Sequence, residues 1–246
     1  MDDFRRALGF LTIYPLRATD TWTPEALGRS MAYYPLVGLC LGLALWLLYL
    51  LLQAILPRAL TMVLLLGGLT VSTGGLHLDG LADTVDGLSR GKNREDSLHI
   101  FKDPHVGAVA VAAIVLVLLL QYASLQALPH QALLPTLVVM STLSRYSMVQ
   151  LACFSRYARA SGGLGEPFVR GIQGKHLYTA AFFTVGIACL FRGWHGLLLW
   201  GLISLGTRGY QIYFHRRLGG ITGDILGATN ALNEVLVLLC MTILYR

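Results

Sequence analysis

Seven apolar runs, separated by shorter polar segments, dominate the chain. They cover approximately residues 36–56, 60–76, 106–128, 133–154, 177–191, 197–213 and 225–245. A helix that crosses a bilayer needs roughly 17–25 mainly apolar residues, and most of the runs meet that length. The pattern therefore predicts an all-α, polytopic integral membrane bundle with about seven transmembrane helices.

Composition supports the same class of protein. Hydrophobic residues make up 55% of the chain and charged residues only 13%, whereas a soluble domain carries roughly 25% charged residues. The chain has no Ser- or Pro-rich linker and no low-complexity tract, so we expect residues 1–246 to form one membrane-embedded domain. The first 30 residues lack a continuous apolar stretch and indicate no cleavable signal peptide.

The basic residues indicate an orientation. With the N-terminus in the cytoplasm, the external segments carry only Arg58, Arg192 and Arg246, and nearly all other Lys and Arg residues lie in cytoplasmic segments. This asymmetry follows the positive-inside rule. It also explains the net charge of +6 without nucleic acid as a partner. Because the larger loops and most carboxylates lie on the same side, we expect the chemistry at the cytoplasmic face.

An acidic cluster follows the second apolar run. Asp79, Asp83 and Asp86 stand at i, i+4 and i+7, so a helix would present all three carboxylates on one face. Such carboxylates repel each other unless a cation or a proton compensates them. Hard oxygen ligands suit Mg²⁺, and His77 precedes the cluster as a candidate base or orienting group. The alternative is a solvated, acidic helix end.

Basic residues follow the acidic cluster closely. The segment 90–94 carries three cations, and Lys102 lies a short distance beyond it. A metal-binding acidic face beside phosphate-binding cations is the arrangement that phosphoryl transfer requires. Taken alone, however, the basic segment also fits the positive-inside signal or contact with anionic lipids.

A second polar region lies near the C-terminus. The segment 219–227 contains four glycines, which let backbone N–H groups approach an anion, and it follows the basic Arg216 and Arg217. Asp224 within it is a candidate metal ligand or base at the same depth as the acidic cluster. A third glycine-rich basic segment, residues 156–168, suits an anionic substrate or simply a turn.

Ionisable residues inside apolar runs are functional candidates by default. Arg145 is a candidate phosphate ligand, and the alternative is a buried structural ion pair. Glu234 and Asn230 stand one helical turn apart in the last run. They suit either chemistry or hydrogen bonds that join helices.

Three separated motifs resemble one family. Residues 74–88, 102–108 and 219–234, together with 10–15 and 34–38, resemble the adenosylcobinamide-GDP ribazoletransferases, or cobalamin synthases. The resemblance spans nearly the whole chain, and the motifs occur in the expected order. Val85 departs from the family pattern, which has a smaller residue there, but the aspartates are intact.

The resemblance implies a Mg²⁺-dependent, multi-pass enzyme of the cell inner membrane. Its substrates would be adenosylcobinamide-GDP and α-ribazole, or the 5′-phosphate of α-ribazole. Its products would be adenosylcobalamin, or its phosphate, and GMP, in the last steps of cobalamin biosynthesis. A ribose hydroxyl would attack the phosphorus attached to cobinamide, and GMP would leave.

We assign roles on this basis as a hypothesis. Asp79, Asp83 and Asp86 hold Mg²⁺ on the diphosphate, and Asp83 is thereby essential for catalysis. Asp224 or His77 acts as base or second metal ligand. We assign three cations to the phosphates of the substrate: Lys102, Arg145 and Arg217.

Two other classes of membrane protein fit parts of the same pattern. A transporter or channel would use Arg145, Arg208 and Glu234 as relay groups, but the chain shows no internal repeat of the kind many transporters have. A CDP-alcohol phosphotransferase would need Ala-Arg after its first Asp-Gly pair, whereas Asp79-Gly80 is followed by Leu-Ala-Asp. The sequence leaves open a homo-oligomer, the identity of the base and the lower-ligand nucleotide.

Overall fold

The computed structural model describes residues 2–14 and 23–246, so Pro15 of the N-terminal motif lies outside the described residues. Helices form the regular structure of the described chain, apart from one isolated β-bridge between Tyr157 and Ile221. In chain order the helices are α1 (Asp2–Leu11), α2 (Pro24–Ser30), α3 (Tyr34–Leu52), α4 (Arg58–Ser72), α5 (Leu76–Arg90), α6 (Arg94–Ile100), α7 (Ala108–Ala127), α8 (His130–Cys153), α9 (Glu166–Gly171), α10 (Gly174–Arg192), α11 (Trp194–Leu218) and α12 (Gly223–Leu244).

The seven predicted apolar runs fall on α3, α4, α7, α8, α10, α11 and α12. Five segments of the described chain are long and apolar enough to cross a membrane: Pro24–Leu52, α7, α8, α10 and α12. The bent pair of α4 and α5 gives a sixth when it is counted as one span. Helix α11 is not among them, since polar residues such as Arg208 and Gln211 lower its mean hydropathy. The all-α membrane bundle is confirmed, whereas the count of seven is not.

A sharp bend separates α4 from the acidic segment. Gly74 and Gly75 both adopt positive φ, at 60° and 72°, a conformation that side chains with a β-carbon rarely take. Helix α5 therefore leaves α4 at an angle of 85°. The prediction that the aspartates lie on a helix is confirmed, but they belong to a new helix and not to the end of the preceding one.

Helix α8 lies at the centre of the bundle. Its most apolar stretch is 89% buried within the protein, compared with 28% for α7. Pro135 lies inside α8 near its N-terminal end. Helix α12 packs against both α8 and α5, so it connects the centre of the bundle to the acidic helix.

Candidate active site

Two glycines let α5 and α12 touch backbone to backbone. A β-carbon at Gly80 would lie 2.6 Å from the carbonyl oxygen of Asp224 and 3.1 Å from the Cα of Gly227. Small residues at such crossings are typical of packed membrane helices, because they let backbones approach closely. The crossing brings Asp79 and Asp83 of α5 beside Asp224 of α12.

Asp79 and Asp224 line one cleft with a volume of about 140 Å³. Apolar side chains, among them Phe10, Tyr34 and Phe168, form much of the remaining wall. Asp79 is exposed, and Asp83 and Asp224 are half-buried, so a solute can reach this group of carboxylates. We call Asp79, Asp83, Asp224 and the neighbouring Arg159 the acidic cleft.

Negative charge is in excess at the acidic cleft. The charges of Asp224 and Asp79 both act on the Asp83 carboxylate, and the charge of Arg159 opposes them. The Arg159 guanidinium lies 3.0 Å from Asp224 Oδ2, and the Thr222 hydroxyl donates to the same oxygen at 3.1 Å. Three carboxylates thus share one neighbouring arginine, an arrangement that favours a bound cation or a bound proton.

Asp86 points to a different neighbour. It is buried, and its Oδ2 accepts a hydrogen bond from the backbone N–H of Gly107, the residue that precedes α7. A carboxylate at a helix N-terminus is stabilised by the unpaired N–H groups and the helix dipole. Asp86 therefore joins α5 to the start of α7, and its predicted role as a metal ligand stays a prediction.

His77 and Arg145 lie in a second polar group. Arg145 is fully buried and forms an ion pair with Glu234, which also accepts from Asn230 Nδ2 at 2.9 Å and Gln121 Nε2 at 3.2 Å. These residues and His77 are named the ion-pair cluster. Of the two interpretations of Arg145 that the sequence leaves open, the geometry matches the structural ion pair.

The His77 ring does not line the acidic cleft. It borders a separate cavity of about 20 Å³ together with Gln121 and Glu234, which has room for about one water molecule. Both of its ring nitrogens are buried without a hydrogen-bond partner among the described residues. His77 is thus separated from the aspartates that follow it in sequence.

The two other predicted phosphate ligands lie outside the cleft wall. Lys102 is exposed, and its Nζ donates to Ser161 Oγ at 3.2 Å. Arg217 donates to the Gly91 carbonyl at 2.9 Å and so joins the end of α11 to the end of α5. Lys102 contacts the loop that carries Arg159, whereas Arg217 connects two helix ends.

Sequence reasoning missed Arg159 as a site residue. Its loop is held against the segment before α12 by two backbone hydrogen bonds: Ala158 donates to Ile221 at 2.8 Å, and Ile221 donates to Arg156 at 2.9 Å. The sequence feature that could have indicated it is the glycine-rich, basic composition of residues 156–168. Nothing in the sequence indicated that this segment would meet Asp224.

Two groups in the loops around the cleft have shifted pKa values. Burial raises the pKa of the Tyr157 phenol, in the loop that carries Arg159. Hydrogen bonds from the backbone N–H and the imidazole of His105 lower the pKa of Asp103. Asp103 therefore remains a carboxylate near Arg90, 3.9 Å away.

Comparisons with known proteins agree with the motifs. The family model of cobalamin-5-phosphate synthase matches residues 3–242. A protein of Geotalea daltonii described as adenosylcobinamide-GDP ribazoletransferase is 44% identical over 235 residues, which is 96% of this chain and 94% of that protein. A protein of the same description from Syntrophobacter fumaroxidans is 38% identical over 244 residues, 98% of each chain.

A third relative, from Pseudomonas fluorescens and with the same description, is 39% identical over 236 residues, 94% of this chain and 95% of that protein. No solved structure matches the chain significantly. The match to the family model extends over α1 and nearly all of α12, and therefore includes both helices that supply the aspartates of the cleft. The chain belongs to the cobalamin-5-phosphate synthase family.

Proposed function

We propose that this protein is a Mg²⁺-dependent adenosylcobinamide-GDP ribazoletransferase that acts at the cytoplasmic face of the inner membrane. The observation that carries the proposal is an accessible cleft lined by Asp79 and Asp224, with Asp83 and Arg159 as their immediate neighbours. Membership of the family and the descriptions of its relatives supply the substrates. The distribution of basic residues supports the orientation.

The acidic cleft fits a Mg²⁺ ion that is shared with a substrate. No group of three or more His, Cys, Asp or Glu side chains in the described part of the chain is arranged to enclose a metal ion. Mg²⁺ does not need such an enclosure, since it is usually bound by one or two carboxylates, water and substrate phosphates. We assign Asp79 and Asp224, which line the cleft, as the two carboxylates that would hold it, and Mg²⁺ would neutralise charge on the diphosphate during transfer.

The reaction joins a ribose hydroxyl of α-ribazole to the phosphorus attached to cobinamide. The new O–P bond forms as the bond between that phosphorus and the oxygen of GMP breaks, and GMP leaves with the electron pair. The hydroxyl proton passes to a carboxylate of the acidic cleft. Asp83 is suited to accept it, because the negative charges of Asp224 and Asp79 both act on its carboxylate. His77 borders a different cavity, so we do not assign it as the base.

The test is a reconstituted assay. The purified protein in lipid nanodiscs is supplied with adenosylcobinamide-GDP, α-ribazole and Mg²⁺, and both GMP and the corrinoid product are separated by chromatography. We expect equal amounts of GMP and joined corrinoid, no turnover with EDTA, and recovery when Mg²⁺ is returned in excess. α-Ribazole 5′-phosphate in a parallel reaction identifies the preferred acceptor.

Two results would contradict the proposal. GMP release without a joined corrinoid would indicate a hydrolase. Solute flux in proteoliposomes, with neither product formed, would support the transporter alternative.

A further inference from the structure

We propose that Arg159 binds the diphosphate of adenosylcobinamide-GDP, and that its contact with Asp224 is exchanged for this phosphate contact when the substrate enters. The inference rests on the proposed function and adds a substrate-binding residue to it. None of the cations assigned to phosphate from the sequence occupies this position.

Arg159 is held in place while part of its hydrogen-bonding capacity is unused. Its side chain is only 11% exposed, and NH2 donates to Asp224 Oδ2 at 3.0 Å and to the Phe101 carbonyl at 3.3 Å. Nε is buried and has no hydrogen-bond partner among the described residues. Because a guanidinium carries five N–H donors in a planar fork, Arg159 can accommodate further acceptor oxygens.

A glycine-rich loop, residues 162–165, lies beside the guanidinium. A β-carbon at Gly163 would overlap the Tyr157 hydroxyl and would lie 3.6 Å from Arg159 NH1, and one at Gly165 would lie 2.6 Å from the Cα of Gly223. The loop therefore packs directly on Arg159 and on the N-terminal end of α12. The absence of β-carbons at Gly163 and Gly165 permits this close packing, which holds Arg159 near the start of α12.

Charge explains why the contact with Asp224 is exchangeable. Asp224 lies among like charges, since Asp79 and Asp83 are its neighbours, and a divalent cation would compete with Arg159 for its carboxylate. A phosphate can replace that carboxylate on the guanidinium, because both accept two parallel hydrogen bonds. Arg159 would then neutralise part of the charge on the diphosphate.

The three cations assigned to phosphate from the sequence are less suited to this role. Arg145 is committed to Glu234 inside the bundle, and Arg217 to the Gly91 carbonyl. Lys102 contacts Ser161 on the same loop as Arg159, so it adds positive charge at the rim. Among these cations, Arg159 alone contacts an aspartate that lines the cleft.

The test separates substrate binding from a structural role. Arg159→Gln and Arg159→Lys are compared with Arg170→Gln as the matched control, because Arg170 is 70% exposed and pairs with Glu166 one helical turn away. Three quantities are measured in nanodiscs: kcat, the separate KM values for the two substrates, and binding of adenosylcobinamide-GDP without acceptor. Thermal unfolding of each variant is recorded in parallel.

We expect Arg159→Gln to weaken binding of adenosylcobinamide-GDP by about tenfold or more, with the KM for α-ribazole changed less than about twofold. Arg159→Lys should recover part of the loss, since it keeps the charge and loses the fork geometry. Arg170→Gln should behave as the wild type.

Unchanged binding of adenosylcobinamide-GDP by a folded Arg159→Gln variant would overturn the inference. So would equal losses for the two substrates, which would mark Arg159 as a structural counter-ion of Asp224. In both cases the active wild type still supports the proposed function. A wild type that neither binds nor converts adenosylcobinamide-GDP would overturn the proposed function and this inference with it.

Discussion

The acidic cleft and the ion-pair cluster both contain carboxylates beside an arginine, and α12 supplies a carboxylate to each, but they differ in how those groups are satisfied. Glu234 is buried and receives hydrogen bonds from three side chains, including the guanidinium of Arg145. In the cleft, by contrast, three carboxylates share Arg159 and are accessible. The cluster is therefore balanced in charge, whereas the cleft has an excess that a ligand can neutralise.

The burial of a charged group therefore distinguishes the two roles: buried groups stabilise the bundle, and accessible groups are available to a ligand. A buried charge must be paired, because leaving it unpaired in the interior is costly. A charge at an accessible cleft can remain available for a ligand. The comparison predicts that substitutions in the cleft lower turnover with little effect on stability, and that substitutions in the cluster do the reverse.

The largest expected effect is that of Asp224→Asn. It removes a charged ligand from the cleft and leaves the shape of the side chain unchanged. We expect turnover to fall by about 10⁴-fold, or ~5 kcal/mol of transition-state stabilisation, with little change in thermal unfolding. GMP release measures turnover, and differential scanning fluorimetry measures thermal unfolding. Asp96→Asn, at an exposed position on α6, is the control. Substantial activity in Asp224→Asn would contradict the assignment.

The opposite behaviour is expected for Glu234→Ala. It leaves Arg145 buried without its partner, which should destabilise the protein by about 3 kcal/mol. The double variant Arg145→Met/Glu234→Leu removes both charges and should recover most of that loss. Unfolding in detergent measures both effects. If Glu234→Ala is as stable as the wild type but inactive, the cluster takes part in catalysis and the comparison fails.

An intermediate effect on both properties is expected for Gly80→Ala, because Gly80 lies where α5 meets α12. Its β-carbon would press on the backbone of α12. The helices must then separate, at a cost of about 1–2 kcal/mol, and Asp79 and Asp83 move away from Asp224. A displacement of this kind can lower kcat by about 10²-fold. Gly201→Ala in α11 is the control, since nothing lies within 4 Å of its β-carbon position. An unaffected kcat would show that the crossing does not position the cleft.

The smallest expected effect is that of Asp86→Asn, which decides whether Asp86 belongs to the cleft. If its main task is to accept from Gly107 at the start of α7, the substitution should destabilise the protein by about 1 kcal/mol. Turnover should then fall only a few-fold. A complete loss of turnover at unchanged stability would instead support the role as a metal ligand that the spacing of the three aspartates predicts.

The sequence identified the three carboxylates at the cleft, but not the arginine that lies beside them. Asp79, Asp83 and Asp224 could be named because acidic residues next to glycines stand out in an apolar chain, and the helix that carries the first two is confirmed. Arg145 and Arg217 were assigned to phosphate since a cation near an acidic motif is a reasonable candidate. Their partners, Glu234 and the Gly91 carbonyl, lie far from them in sequence, so no local pattern could reveal those contacts.

The amino-acid sequence by itself determined the membrane class, the helical nature of the apolar runs and the acidic motif, because each depends on local hydrophobicity and spacing. Only the tertiary structure decided that α5 bends away from α4, that Gly80 and Gly227 bring two acidic segments together, and that Arg159 meets Asp224. The last two are contacts between distant parts of the chain. They depend on which helix surfaces can approach each other, and that is a property of the packed bundle and not of any single helix.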